Sequence, residues 1–314
     1  TGDAGSDHGQ AGTLLLDPKN IVISSSGGLL PQYQLIDPNS DTTSGYGTAI
    51  ASLANGNVVV TNPNAAVGGN AAGAVYLFNG LTGALISMLT GSDSGDAVGG
   101  GGITVLSNGN YVIKSPSWAN DGMTSAGAAT WGSASTGVAG IVSATNSLVG
   151  GTPNDKVGSS VTALIDNGNY VVGSPDWTAP VGMNGPVASA GAATWGNGSV
   201  GTAGLVSDTN SLVGGRAGDK IGSAVTVLTN GNYVAYSPSW AGGPGTSAGA
   251  ATWGSGSAGI AGIVTTTNSL VGAAADDGVG LTVTALLTNG NYVVSSTSWD
   301  NGGAGDAGIV TWGD

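Results

Sequence analysis

Four tryptophans stand just beyond a Ser-Pro or Ser-Thr step at matched places in the chain: Trp118, Trp177, Trp240 and Trp299. A Trp on a loop after a strand can stack on a sugar ring, given polar groups to orient the hydroxyls, so the four could form equivalent glycan platforms. The same spacing suits plugs in the seams between packed sheets. One residue ahead of the step the side chains vary as Thr61, Lys114, Gly173, Tyr236 and either Ser296 or Ser295, and a ring containing Lys114 and Tyr236 would suit a small ligand. Aspartates recur at Asp41, Asp96, Asp155, Asp219 and Asp277, where a carboxylate can accept backbone N–H groups in a turn. Asp93 with Asp96, and Asp276 with Asp277, place acids close together, which makes calcium the one cofactor to consider. Catalysis finds little support: there is no Cys and no Glu, and the single His is His8. Glycoside hydrolysis needs two carboxyl groups facing across the scissile bond, and these acids recur in turns instead. No enzyme is expected, with a glycoside hydrolase as the remote alternative.

These residues are carried by a repeat. Asn-Gly-Asn begins at Asn55, Asn108, Asn167, Asn230 and Asn289, so successive copies start 53, 59, 63 and 59 residues apart. Asn-Gly between alternating apolar runs signals a hairpin with a type I′ turn. In the third copy the strands fall at Gly158 to Ile165, Tyr170 to Pro175, Ser189 to Gly196 and Ala203 to Gly214. A second Trp set, Trp131, Trp195, Trp253 and Trp312, lies in the third strand and aligns with Leu77, which points to packing between sheets. Four short strands with Gly-rich turns at this period describe a β-propeller blade. The fifth copy lacks a fourth strand, and Gln32 to Ile50 parallels one, with Leu35 in the leucine position held elsewhere by Leu89, Leu148, Leu212 and Leu270. The expected fold is all-β: a five-bladed propeller of four-stranded antiparallel blades over residues 28–314, closed by an N-terminal strand that completes the last blade.

Composition bounds the partners. The 314 residues include 60 Gly and only 7% charged residues, with a formal net charge of −13. Hydrophobic content of 40% in periodic runs supplies enough apolar surface for a folded chain. So acidic a surface repels phosphate backbones and anionic lipid, and no apolar run is long enough to span a bilayer. Neither nucleic acid nor membrane insertion is expected.

Two resemblances add to this reading. Gly218 to Leu228 (GDKIGSAVTVL), with YVVGSP and Ala72 to Gly80 (AGAVYLFNG), resembles the FG-GAP blades of integrin-type propellers. That family's calcium loop carries alternating acidic oxygens in the first hairpin; here it reads only DNGNY or SNGNY. Gly12 to Ile23 (GTLLLDPKNIVI) resembles the end of the β-helix in filamentous-haemagglutinin-like exoproteins. This implies a module of a large secreted or bacterial cell-surface protein, and the opening at Thr1, without Met or a signal peptide, leads to the expectation of a processed product or an excised piece of something larger. Residues 1–27 then form a tail with an extra strand. Its Leu14, Leu15, Leu16, Ile21, Val22 and Ile23 could join a sheet edge of the next subunit and build a fibre. The functional expectation is a non-catalytic structural or adhesive module, partnered by copies of itself or other surface proteins, with a glycan-binding adhesin as the alternative.

Overall fold

A computed structural model describes residues 34–39, 45–67, 70–182, 185–242 and 246–314. The assembly-strand residues Leu14 to Leu16 and Ile21 to Ile23, and Asp41, lie outside the described residues. The chain divides into units Thr1–Gln34 and Leu35–Asp314, and the second carries every described sheet. It is all-β, with no helix among the described residues.

Each Asn-Gly-Asn tip turns the chain, though not through the expected two-residue turn. Gly56 and Gly109 donate to the carbonyls of Leu53 and Leu106 while those leucines donate to Asn57 and Asn110. In the first, second and fourth copies the loop therefore has three residues, with the tip glycine left-handed (φ 86°, 88° and 81°): a type I turn closed by a bulge, in which only the glycine needs positive φ. In the third and fifth copies Leu164 and Leu286 donate to Asn169 and Asn291 across a loop one residue longer, and Asp166 and Asn289 are left-handed as well. The hairpin it joins is Ile50–Ser52 with Val58–Asn62 in the first sheet and Gly102–Val105 with Tyr111–Ser115 in the second. Later copies are Ser160–Ala163 with Tyr170–Ser174, Ala224–Val227 with Tyr233–Ser237, and Thr282–Ala285 with Tyr292–Ser296.

The third strand pairs antiparallel to the second and is selected by shape. Tyr170 lies opposite Gly196, and a Cβ on that glycine would sit 2.1 Å from the tyrosine ring. The pairs Tyr111 with Gly132, Tyr233 with Gly254 and Tyr292 with Gly313 repeat the arrangement, and the first sheet reverses it with Val58 opposite Phe78. A large ring over a cross-strand glycine leaves room for one bulky side chain per pair. The fourth strand pairs next: Leu85–Thr90, Ser147–Val149, Ser211–Val213 and Leu270–Val271. Thr130, Thr194 and Thr252 meet Ser147, Ser211 and Ser269 there at 2.7 Å, which sets the register.

The segment before the fourth strand does more than expected. Gly140–Ile141, Gly204–Leu205 and Gly262–Ile263 each run parallel to the fourth strand of the preceding sheet. The region read as one strand at Ala203 to Gly214 is therefore two short strands in two different sheets, joined by a turn in which Asn210 bonds Ser207 and Leu205.

Alternate residues along each strand serve different seams, as a period of two requires. Val59, Val75, Leu77 and Leu89 of the first sheet pack on Tyr111, Ile113 and Trp118 of the second. Leu106, Val112 and Leu148 pack in the same way on Tyr170, Val172 and Trp177, and Leu164, Val171 and Leu212 on Tyr233, Ala235 and Trp240. The sheets thus stack face to face in chain order. The expected closure is not seen among the described residues: the last sheet holds three strands, and Gln34 to Asp37 form none. Leu35 and Tyr46 instead cover the outer face of the first sheet, against Val60, Tyr76 and Phe78.

Gly127 tests how tightly the repeats close. It is left-handed (φ 77°), and a Cβ would lie 2.3 Å from the Val157 nitrogen. Gly122 is also left-handed (φ 83°) but faces open space. Urea denaturation should show Gly122→Ala costing about 1 kcal/mol, the backbone penalty alone, and Gly127→Ala costing about 3 kcal/mol or more.

Candidate functional site

The recurring polar residues converge on the seams between repeats, at two places. The first is the buried aspartate. Asp155 Oδ2 accepts the backbone N–H of Gly151 (2.9 Å) and Thr152 (2.8 Å), and its Oδ1 accepts that of Thr178 (2.9 Å). Asp96 does the same with Ser92, Asp93 and Ala119, Asp219 with Gly215, Arg216 and Ala241, and Asp277 with Ala273, Ala274 and Asp300. All four are buried. In every case the distant donor is the residue after the loop tryptophan. The carboxylate therefore ties the turn that begins a repeat to the loop beyond its second strand, and charge-assisted bonds of this kind are strong.

That tie fixes the tryptophans. The N–H groups of Trp118, Trp177 and Trp240 close tight turns onto Ser115, Ser174 and Ser237, and their carbonyls accept from Gly127, Gly191 and Gly249. All three rings are buried in the seams, and Trp299 packs partly buried against the last one. Of the two readings of Trp118, Trp177 and Trp240, the buried rings fit plugs in the seams and leave no open face for stacking on a sugar.

Calcium at Asp96 and Asp277 meets a similar obstacle, because N–H donors approach both oxygens of each. Asp93 and Asp276 are exposed, and Asp93 accepts from Ser92. Among the described residues no three acidic or histidine side chains gather around a common point. Lys114 and Tyr236 occupy equivalent strand registers, opposite Gly102 and Ala224, and the pairing of Ser295 with Thr282 makes Ser295 their counterpart in the last sheet. Tyr236 packs half-buried into the fourth seam, near Gly280.

The second convergence was missed in the sequence. After the third strand each of the first four repeats makes the same turn, in which Gly83, Gly137, Gly201 and Gly259 donate to the residue four earlier. The carbonyl of Gly198 in this turn accepts three donors from the preceding repeat: Asn108 Nδ2 (2.7 Å), Asn110 Nδ2 (2.9 Å) and Trp131 Nε1 (2.9 Å). Gly256 receives Asn167 (3.0 Å), Asn169 (2.9 Å) and Trp195 (3.0 Å). Ala134 receives Asn55 and Asn57, with Leu77 where the Trp would stand. The same residues' N–H groups are held by their own repeat, at Asn110, Asn169 and Asn232. Three residues on, Gly201 and Gly259 lie against Trp131 and Trp195, with room for no Cβ. The signal was present as W-G-x-[AG]-x-x-G at Trp131 to Gly137, Trp195 to Gly201 and Trp253 to Gly259.

A sequence profile described as a repeat of unknown function (DUF5650) matches residues 105–159, 164–223, 227–281 and 286–314. The chain belongs to this repeat family. The first three DUF5650 matches run from the hairpin tip through the Trp loop and the shared-carbonyl turn into the next aspartate turn, so the family unit contains both convergences; the fourth covers the hairpin, the Trp loop and the third strand. The four strands of the first repeat lie outside the matches, in keeping with Leu77 and Ala65 in the two Trp positions. No curated protein matches the chain.

Equivalent aspartates titrate in opposite senses. At Asp219 burial pushes the carboxyl up, and the N–H groups of Ala241, Arg216 and Gly215 with the Arg216 charge only partly offset it. At Asp277 burial also raises the carboxyl, but the N–H groups of Ala274, Asp300 and Ala273 together outweigh it and hold the carboxyl below its ordinary value. Asp277 therefore contributes stability above the unfolded value of about 3.9 that is lost as pH falls through its folded value. Asp219 carries a cost at neutral pH that protonation relieves. Chemical denaturation from about pH 7 to about pH 3 should show the advantage of wild type over Asp277→Asn shrinking, and its advantage over Asp219→Asn growing.

Proposed function

We propose that the chain is a non-catalytic structural module of a secreted or cell-surface bacterial protein, with its sheets standing as blades of a propeller-like array and its N-terminal residues joining a neighbouring subunit. The observation that carries this reading is where the recurring polar groups go. Asp96, Asp155, Asp219 and Asp277 accept backbone N–H groups, and the Asn pairs with Trp131 and Trp195 donate across seams. Every such group acts in cohesion. An array that binds each unit to the next gains stability as a sum of repeat and interface terms, which suits a load-bearing element.

The likeness of Gly218 to Leu228 to FG-GAP blades supports the blade arrangement, and that of Gly12 to Ile23 to haemagglutinin-like exoproteins supports surface location. The assembly role of Leu14 to Leu16 and Ile21 to Ile23 rests on their strand-like pattern. The partner is a second copy or another surface protein with an open sheet edge.

Light scattering and electron microscopy of the intact chain and of a chain lacking Thr1 to Ser25 test the assembly role. Elongated particles in the first and their loss in the second are expected; a monomer unaffected by the deletion would remove the N-terminal strand from the account.

A further inference from the structure

Two charged residues break the repeat at the same seam. Asp208 stands where the flanking repeats have Ala144 and Thr266, and Arg216, the one arginine of the chain, where they have Thr152 and Ala274. The third repeat also departs in its Trp loop, which folds into the hairpin Ala179–Gly182 with Gly185–Val187, whereas the loop of the second makes a single bridge between Asn120 and Met123. The polar groups that recur hold the array together, so charges that do not recur call for another use.

These departures surround one groove. Pro180 and Val187 of the hairpin, with the buried Trp177, Val213 and Ile263, line an apolar cavity of about 170 Å³, and the exposed Asp208 supplies its one charge. Gly215 and Ile263 also border a second cavity of about 260 Å³, lined by Arg216, Asp219, Trp240, Thr265 and Thr266. Neither alone reaches the roughly 300 Å³ of an ordinary small-ligand site, but end to end they do.

Arg216 is held in place without being neutralised. Its backbone N–H donates to Asp219 Oδ2 (2.8 Å) and its guanidinium to the Ala241 carbonyl (2.7 Å). Asp219 is already occupied by three backbone N–H groups. Among the described residues neither Arg216 nor Asp208 is in an ion pair; the pair that forms there joins Lys156 to Asp176 (3.3 Å). A guanidinium has five N–H donors and takes a carboxylate with two of them, so the second cavity is suited to that group.

The charges decide against simpler ligands. A bare anion meets Asp208 and a chain of net charge −13, a bare cation meets Arg216, and an uncharged apolar molecule leaves both unanswered. A zwitterion with an apolar body, neutral overall, answers both charges and the apolar wall between them.

We propose that this groove binds an apolar amino acid or short apolar peptide, with its ammonium on Asp208, its side chain against Pro180, Val187 and Ile263, and its carboxylate on Arg216. The site makes the module a receptor for a small zwitterion, and it stands whether or not the chain assembles.

NMR chemical-shift titration of the full chain with leucine, phenylalanine and leucyl-leucine tests this, alongside the N-acetylated and C-amidated forms of each, which lack one charge. At least one uncapped probe should bind about tenfold or more tighter than both its capped forms. Whether the single residues or leucyl-leucine bind better tells a free amino acid from a peptide. Asp208→Ala and Arg216→Thr install what the second repeat holds at these positions, so the fold accepts them, and each should weaken binding about tenfold or more. Lys156→Gln, which removes the same charge elsewhere, should leave binding unchanged. No saturating shift with any uncapped probe at about 10 mM, capped forms binding equally well, or binding indifferent to Asp208→Ala and Arg216→Thr would overturn the proposal.

Discussion

One backbone carbonyl per repeat sets how the next repeat can sit. A turn carbonyl has two lone pairs, and in the seams it faces two carboxamides and, where a Trp is present, an indole N–H, all from the preceding unit. Its own N–H is taken by an asparagine of its own hairpin tip. The residue is thus gripped from both sides, and the spacing between successive hairpin tips follows from it. The left-handed glycine three residues later completes the constraint, because the partner Trp lies where any Cβ would be. Neighbouring sheets can approach only in one register, and the apolar clusters between them fill the space that this register leaves.

The buried aspartates act one level down, inside the repeat. Each converts three backbone donors that would otherwise be orphaned into charge-assisted bonds, and so holds a Gly-rich turn that has little apolar surface of its own. Leaving those donors unpaired would cost about 1–3 kcal/mol each, which explains why a protein with so few charged residues buries some of them. The loop tryptophans depend on this tie: the residue after each is bonded to the carboxylate, and the ring is turned into the seam. A ring exposed for ligand would require the opposite arrangement.

Much of this was legible in the residues. The Asn-Gly-Asn spacing located every hairpin tip, and the strands at Tyr170 to Pro175 and Ser189 to Gly196 overlap the observed ones closely. The turn type was misjudged because Asn-Gly fits both a two-residue turn and a three-residue loop with a left-handed glycine; the bonds at Leu53 and Leu106 decide between them. The two-residue parallel strands at Gly140, Gly204 and Gly262 are too short to show a period, so their membership in the preceding sheet could not be read. The two Trp sets recur with equal regularity, and only the structure tells which is buried outright and which reaches a carbonyl. Leu77 in place of Trp was a sound sign of a seam position, but it masked the indole N–H as a donor, since leucine keeps the packing and loses the bond.

The shared carbonyl makes an unequal demand on the four third-strand tryptophans. Trp131 and Trp195 donate to Gly198 and Gly256, whereas Trp253, 40% exposed, and Trp312 have no such acceptor among the described residues. Hydrogen exchange of the indole Nε1–H groups, followed by NMR on the dilute monomer, measures this directly. Slow exchange at Trp131 and Trp195 with fast exchange at Trp253 and Trp312 is the predicted pattern; equal rates at all four would contradict the claim that a shared carbonyl holds the seams in which Trp131 and Trp195 sit.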